Sequence, residues 1–348
     1  MNAEHHYFDY HQAFKLESGE ILPGFRLAYA TLGRLNPNHS NVVWVCHALT
    51  GTPDVTQWWA PLFSEQGIFS PKKFFVVCAN TLGGCYGSTG PLSVNPQTGE
   101  PYYHDFPRLT TRDVARAFEL LRQHLGVERV HTLIGGSLGG QQVLEWAVLQ
   151  PDVFEHVVPI ACNAYHSPWG IAFNEAQRMA LLADPTFKNR QPDAGQEGLK
   201  AARAVAMLSY RNYACYNSTQ QGVWPDSGQF RATTYQRHHG QKLARRFNAF
   251  TYWVLSHMMD HHHVGRNRPS TEYALSTIRG KTMVIGIDSD ILFPVSEQQY
   301  LASAIPHARL TVLSSLYGHD GFLAEFGQLQ QALQHFYSPQ NQSVFLYE

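Results

Sequence analysis

The sequence predicts an α/β fold: a mainly parallel sheet, covered by helices on both faces and interrupted by a helical segment before its last strands. Three observations carry this. The runs "NVVWVCHA" and "KKFFVVCAN" are apolar on consecutive residues, as strands buried on both faces are. Such runs alternate with helix-periodic segments through the first half of the chain. From about Ser167 to Ser276 strand signals vanish, and they return in "KTMVIGI" and "ARLTVLSS".

Taken in order, "QAFKLESGEILPGFRLAYATLG" reads as strands around a turn at Ser18-Gly19, and the two buried strands follow. Between "PRLTTRD" and "HLGVERV" lies a helix with Val114, Ala117, Phe118, Leu121 and Leu125 on one face. Thr110 and Asp113 resemble a capping pair at its start. The strand "RVHTLIGG", a helix from about Leu138 and the strand "HVVPIAC" come next. "NEAQRMALLAD", "GLKAARAVAMLSYRNYACY" and "RRFNAFTYWVLSHMMDHHH" are helix-like. The final strands have to complete the earlier sheet, so the chain divides into a core segment 1–166, a helical insertion 167–276 and a second core segment 277–348.

With 348 residues and 44% hydrophobic content, a large core is expected. Lys and Arg total 26 against 27 Asp and Glu, so the basic excess of a nucleic-acid or acidic-membrane binder is missing. Small molecules are the expected partners. Five cysteines without a CxxC spacing argue against a disulfide framework and for a reducing compartment. The N-terminus lacks a signal-peptide h-region, and no apolar run approaches the ~20 residues that span a bilayer. These features describe a cytoplasmic protein.

Gly135-Gly136-Ser137-Leu138-Gly139 matches G-x-S-x-G directly after a strand and before a helix, which is the setting of a nucleophile elbow. A tight turn there exposes the hydroxyl and aims the next N–H, that of Leu138, at a developing oxyanion. A serine nucleophile needs a base and an orienting acid, which in α/β-hydrolases follow in the order Ser, acid, His. After "KTMVIGI" the sequence offers Asp288 or Asp290, and after "ARLTVLSS" it offers His319. All follow the C-terminal ends of strands, where sites in open α/β sheets collect. A second oxyanion donor is expected from the loop His47-Ala48-Leu49-Thr50-Gly51, with Leu49 as the candidate N–H.

"HALTG", "CANTLGGCYGSTGP", "DFPRLTTRD", "GGSLGGQQVLEWA", "SYRN", "SDILFP" and "GHDGFL" occur in the order seen in the homoserine O-acetyltransferases of the α/β-hydrolase superfamily. The chain resembles that family from about residue 20 to about residue 330. The resemblance implies an α/β-hydrolase fold with an eight-stranded, mainly parallel sheet, the insertion 167–276 acting as a lid. It implies Ser137 as nucleophile, His319 as base, Asp290 rather than Asp288 as the acid, and Leu49 and Leu138 as oxyanion donors. Arg211, in "SYRN", is similar to the arginine that holds the homoserine carboxylate, and Asp320 resembles the carboxylate that receives its ammonium group. The implied reaction is ping-pong transfer of an acetyl group from acetyl-CoA, a co-substrate, to L-homoserine for methionine synthesis, with no metal or other cofactor. The family's lids also pair subunits, so a homodimer is expected.

The chain departs from the "TYRS" and "FDANSY" of many members at Ser209, Asn212, Asn248, Phe250 and Thr251, all in the lid where substrate groups are expected. Succinyl-CoA as donor and L-serine as acceptor therefore stay open, since one methylene is worth only about 1–3 kcal/mol in a pocket. An esterase or thioesterase is the rival outside transfer, and Arg211 with Asp320 speaks against it. In "MMDHHHVGR", consecutive helical residues point about 100° apart, so His261, His262 and His263 are not expected to share a metal. "LGGCYGSTG" fits no phosphate-loop pattern and is expected at the site's mouth, while Trp58-Trp59 reads as packing.

Overall fold

The computed structural model describes residues 3–338 of the chain, so positions 339–348 of the second core segment lie outside the described residues. The N-terminal half supplies strands β1 (Glu4–Tyr10), β2 (Phe14–Lys15), β3 (Ile21–Leu22), β4 (Phe25–Leu32), β5 (Val42–Cys46) and β6 (Phe75–Ala79). Helix α1 (Thr111–His124), strand β7 (Val130–Gly136), helix α2 (Leu138–Leu149) and strand β8 (Phe154–Ile160) follow. An eight-stranded sheet runs in the order β1-β4-β6-β5-β7-β8, then β9 (Lys281–Ile287) and β10 (Arg309–Leu313). The pairings β1–β4 and β4–β6 are antiparallel, and every pairing from β6–β5 onward is parallel. The short hairpin β2–β3 turns at Ser18-Gly19, where Gly19 takes φ 90°.

Consecutive apolar residues in the central strands serve two cores. In β5, Val42, Trp44 and Cys46 join one cluster with residues of α1 and α2, while Val43 and Val45 join another with Trp59 and Phe69. Trp44 meets Trp146 of α2 edge-on at 4.9 Å between ring centroids and lies 6.3 Å from Phe118 of α1. The second face is closed by α11 (Phe326–Tyr337), which follows the single-turn α10 (Gly321–Ala324), through Leu329 and Leu333. Helix α1 starts with both halves of a capping box. Thr110 accepts from the Asp113 N–H, and Asp113 accepts from the Thr110 N–H.

Between β8 and β9 the chain is helical: α3 (Pro168–Leu182), α4 (Gln196–Tyr210), α5 (Tyr213–Thr219), α6 (Arg231–Ala244), α7 (Ala249–Asp260) and α8 (Thr271–Ser276). Helix α3 packs on α4 and α7, and α4 on α6, which makes a layer over the strand ends. Helix α8 instead packs on α2 and on α9 (Val295–Ala304), so the chain has rejoined the core before Ser276. No described helix is long and apolar enough to cross a membrane, and all five cysteines are free.

The elbow is a point of close backbone approach. A Cβ at Gly139 would lie 2.1 Å from the Cys46 carbonyl oxygen, so α2 and β5 touch backbone to backbone. Gly139→Ala should therefore cost about 1–3 kcal/mol or more, read from urea or thermal melts. Gly327 in α11 has open space around its Cβ position, and Gly327→Ala should stabilise by up to about 1 kcal/mol. Equal effects of the two substitutions would contradict this reading of the elbow.

Candidate active site

Ser137 sits between β7 and α2 with φ 59° and ψ −126°, a strained conformation for a residue with a side chain. Its N–H bonds the Ile160 carbonyl at 2.9 Å, and its carbonyl receives the Gln141 N–H at 3.1 Å. The strain is thus held from both sides. A Cβ at Gly135 would lie 2.7 Å from both the Cys46 oxygen and the Gly139 backbone, which is why glycine precedes and follows the serine at that spacing.

His319, in a short turn after β10, places Nε2 2.9 Å from Ser137 Oγ and Nδ1 2.7 Å from Asp290 Oδ2. The other Asp290 oxygen accepts the N–H groups of Leu292 and Phe293 at 2.8 and 2.9 Å. A carboxylate so held takes the Nδ1 proton as a hydrogen bond, which leaves Nε2 as the acceptor facing the serine. Ser137, Asp290 and His319 are all buried. Asp288 is used elsewhere: it accepts from Ser314 Oγ at 2.8 Å and from the Ser315 N–H at 3.0 Å, tying the end of β9 to the segment after β10. Burial pulls the His319 ring towards lower pKa, but the charges of Asp290 and then Asp320 outweigh it, and the ring ends above its ordinary value of 6.5. Glu297, at the start of α9, is pushed up to about 7 by burial, with Asn163 and Ser167 opposing and Asp290 adding to the rise.

The Leu138 N–H opens α2, where no intrahelical acceptor exists for it. The loop carrying Leu49 lies against the elbow, since the Gly139 Cβ position is also 3.0 Å from the His47 oxygen. His47 braces that loop, a role no signal in the sequence marked. Its Nε2 accepts the Thr81 N–H at 3.0 Å, so its Nδ1 carries the proton and donates to the Ala48 carbonyl at 2.8 Å. Burial lowers its pKa, against the opposing hydrogen bonds to Ala48 and Asn80.

Arg211 ends α4 and Asp320 adjoins His319; their side chains meet at 3.2 Å. The guanidinium lies 5.2 Å from the Tyr317 ring centroid, and its Nε is buried without a hydrogen-bond partner. Arg211 and Asp320, far apart in sequence, thus converge beside the histidine. The lid departures have partners within the protein. Asn212 caps α5 and Asn248 caps α7, each accepting a backbone N–H at 2.8 Å. The Ser209 hydroxyl donates to the Ala206 carbonyl at 2.9 Å, and Phe250 packs edge-on against Tyr103. Thr251 lines a cavity of about 230 Å³ with Cys85.

His261, His262 and His263 make separate contacts: to the His257 carbonyl, to Thr111 with the Asn163 carbonyl, and to the Gly265 N–H. Among the described residues, the group with metal-ligand spacing is His131, Glu155 and His156, at the opposite ends of β7 and β8 from Ser137. Trp59 is buried and donates to the Phe322 carbonyl at 2.9 Å.

The profile of the α/β-hydrolase fold family matches residues 41–326. The homoserine O-acetyltransferase of Cyclobacterium marinum is 50% identical over 95% of this chain and 94% of its own length. That of Nostoc punctiforme is 44% identical over 92% of each. Among solved structures, homoserine O-acetyltransferase from Bacillus anthracis superposes with a TM-score of 0.90 at 22% identity, covering 97% of this chain and 98% of that one. Esterase E22 gives 0.87 at 22% identity, covering 96% and 99%.

Asp290→Asn should fold normally and lose about 10⁴ in kcat on an activated ester, because His319 would take the wrong tautomer. Asp288→Asn should be far milder, and the reverse ranking would move the acid's role to Asp288. Since the base must be neutral, kcat/KM should rise with pH through a midpoint above 6.5. Asp320→Asn removes a charge that retains the proton, so that midpoint should fall; Glu297→Gln should move it less.

Proposed function

This chain belongs to the homoserine O-acetyltransferase family of the α/β-hydrolase fold, and from that membership we propose that it moves an acetyl group from acetyl-CoA to the hydroxyl of L-homoserine. The observation that carries the substrate class is the Arg211–Asp320 pair beside His319. A guanidinium offers planar paired donors to a carboxylate, and the free Nε is one of them. Asp320 would take the ammonium group. An amino acid bound between the two side chains replaces one ion pair by two, with its side-chain hydroxyl near the base. A plain esterase has no use for such a clamp.

In the first half-reaction His319 Nε2 takes the Ser137 proton as Oγ attacks the thioester carbonyl. The oxyanion is met by the Leu49 and Leu138 N–H groups. The C–S bond then breaks, His319 returns the proton to sulfur, and CoA leaves an acetyl-serine. In the second half-reaction His319 takes the homoserine hydroxyl proton, that oxygen attacks the acetyl carbon, and Ser137 leaves with the proton. Water competes for the acyl-enzyme, and the helices over the strand ends oppose it. The product would be O-acetyl-L-homoserine for methionine synthesis, made in the cytoplasm, a setting that suits the free cysteines. Exposed Met179, Leu208, Tyr213 and Phe230 on the lid suit docking of a second copy there.

Brief exposure to acetyl-CoA should add one acetyl group to the intact mass. Ser137→Ala should show none and lose on the order of 10⁶ in kcat. Arg211→Lys keeps the charge but loses the fork, so it should preserve the burst of CoA release while raising the homoserine KM or slowing transfer. Equal loss of burst and transfer would remove Arg211 from the clamp. CoA release as fast without any amino acid would make the protein a hydrolase, and faster turnover with succinyl-CoA or L-serine would reassign a substrate.

A further inference from the structure

The loop that carries Leu49 is gripped from the lid as well as from the core. Arg246 lies between α6 and the Asn248 cap of α7. Its Nη1 donates to the Thr50 carbonyl at 2.7 Å and also to the Tyr86 hydroxyl, while Nη2 lies 3.5 Å from Thr50 Oγ1. Thr50 directly follows Leu49, in a turn closed by the Gly51 N–H on the Ala48 carbonyl at 2.9 Å. Tyr86 belongs to the glycine-rich segment, and its ring packs edge-on against Phe247, the neighbour of Arg246. One lid corner therefore holds two loops together. On the core side His47 holds the same loop through Ala48.

We propose that Arg246 is a positioning residue that couples seating of the lid to assembly of the oxyanion hole, because it fixes the Leu49–Thr50 backbone only when the lid is down. The inference rests on the acyl-transfer reading above and on Leu49 as an oxyanion donor. The guanidinium is exposed, so water competes for its hydrogen bonds and the grip is reversible. Reversibility is what a lid that admits a large thioester needs. Losing one oxyanion donor outright costs about 10²–10³ in kcat, so a donor left in place but loosely held should cost less, roughly tenfold. Both half-reactions form an oxyanion at the same place. Loosening the loop should slow both, unlike loss of the acceptor clamp.

The test uses the full-length protein with Arg246→Met, Arg246→Lys and Tyr86→Phe. It reads the CoA burst at saturating acetyl-CoA, the acetyl-CoA KM, transfer to homoserine, and turnover of p-nitrophenyl acetate, which carries no phosphates. Arg246→Met should slow the burst, transfer and p-nitrophenyl acetate turnover by roughly tenfold each, with the acetyl-CoA KM within about twofold of wild type. Arg246→Lys should recover part of the loss, since one ammonium still reaches the Thr50 carbonyl, and Tyr86→Phe should slow all three mildly. Unchanged turnover of p-nitrophenyl acetate in Arg246→Met overturns the proposal. So does a raised acetyl-CoA KM with ester turnover untouched, which would make Arg246 a contact for the CoA phosphates. If Arg246→Met does not fold, Arg246→Lys and Tyr86→Phe decide by the same measurements. A wild type that turns over p-nitrophenyl acetate but is never acetylated by acetyl-CoA would sink the transferase reading, while the ester still tests the coupling.

Discussion

The site depends on one backbone contact, the approach of Gly139 to the Cys46 carbonyl. Because no side chain fits there, the first turn of α2 rests on the end of β5 and the serine before it is pushed into a left-handed backbone. Strands β5 and β7 are neighbours, yet β6 lies beyond β5 and β8 beyond β7. The strand order reverses at this point, which opens a crevice at the C-terminal edge. Leu49 and Leu138 stand on its two sides. Parallel pairing sends β9 and β10 to the same edge, so Asp290 and His319 reach a serine more than a hundred residues earlier in the chain.

Much of this was legible because burial on both faces leaves a plain mark. Strands β5 and β6 are runs of consecutive apolar residues and β7 to β9 contain shorter ones, whereas β10 is an edge strand with Leu313 as its buried residue. The elbow's glycines and the residues after β9 and β10 sit at readable distances from them. Strand β1 left no such mark. It is an edge strand with Phe8 as its buried residue, held by backbone pairing along β4. Nor could the residues alone separate Asp288 from Asp290, since both follow the same strand. Their difference lies in partners, Ser314 and Ser315 for one and His319 for the other.

Other features were silent for a different reason. His47 and Arg246 act on backbone carbonyls, which every residue has, so no pairing pattern in the sequence betrays them. Asn212 and Asn248 are ambiguous in another way. An asparagine in a lid reads as a substrate contact, but its side-chain oxygen is equally suited to a first-turn helix N–H that lacks an intrahelical partner, and both asparagines cap in this way.

The charges around His319 suggest how acceptor and base are matched. Asp290 and Asp320 together hold the proton on the ring against the cost of burial, which would favour the imidazolium in each half of the proposed transfer. Asp320 is also the partner of Arg211, so in the resting protein part of its charge is spent on the guanidinium. An amino acid bound as proposed would bring to Asp320 an ammonium group and leave Arg211 to the carboxylate. The donor carries no such group. On this reading the carboxylate that helps hold the proton on the base is also the one that orients the acceptor, so the acceptor half of the reaction depends on how Asp320 is shared.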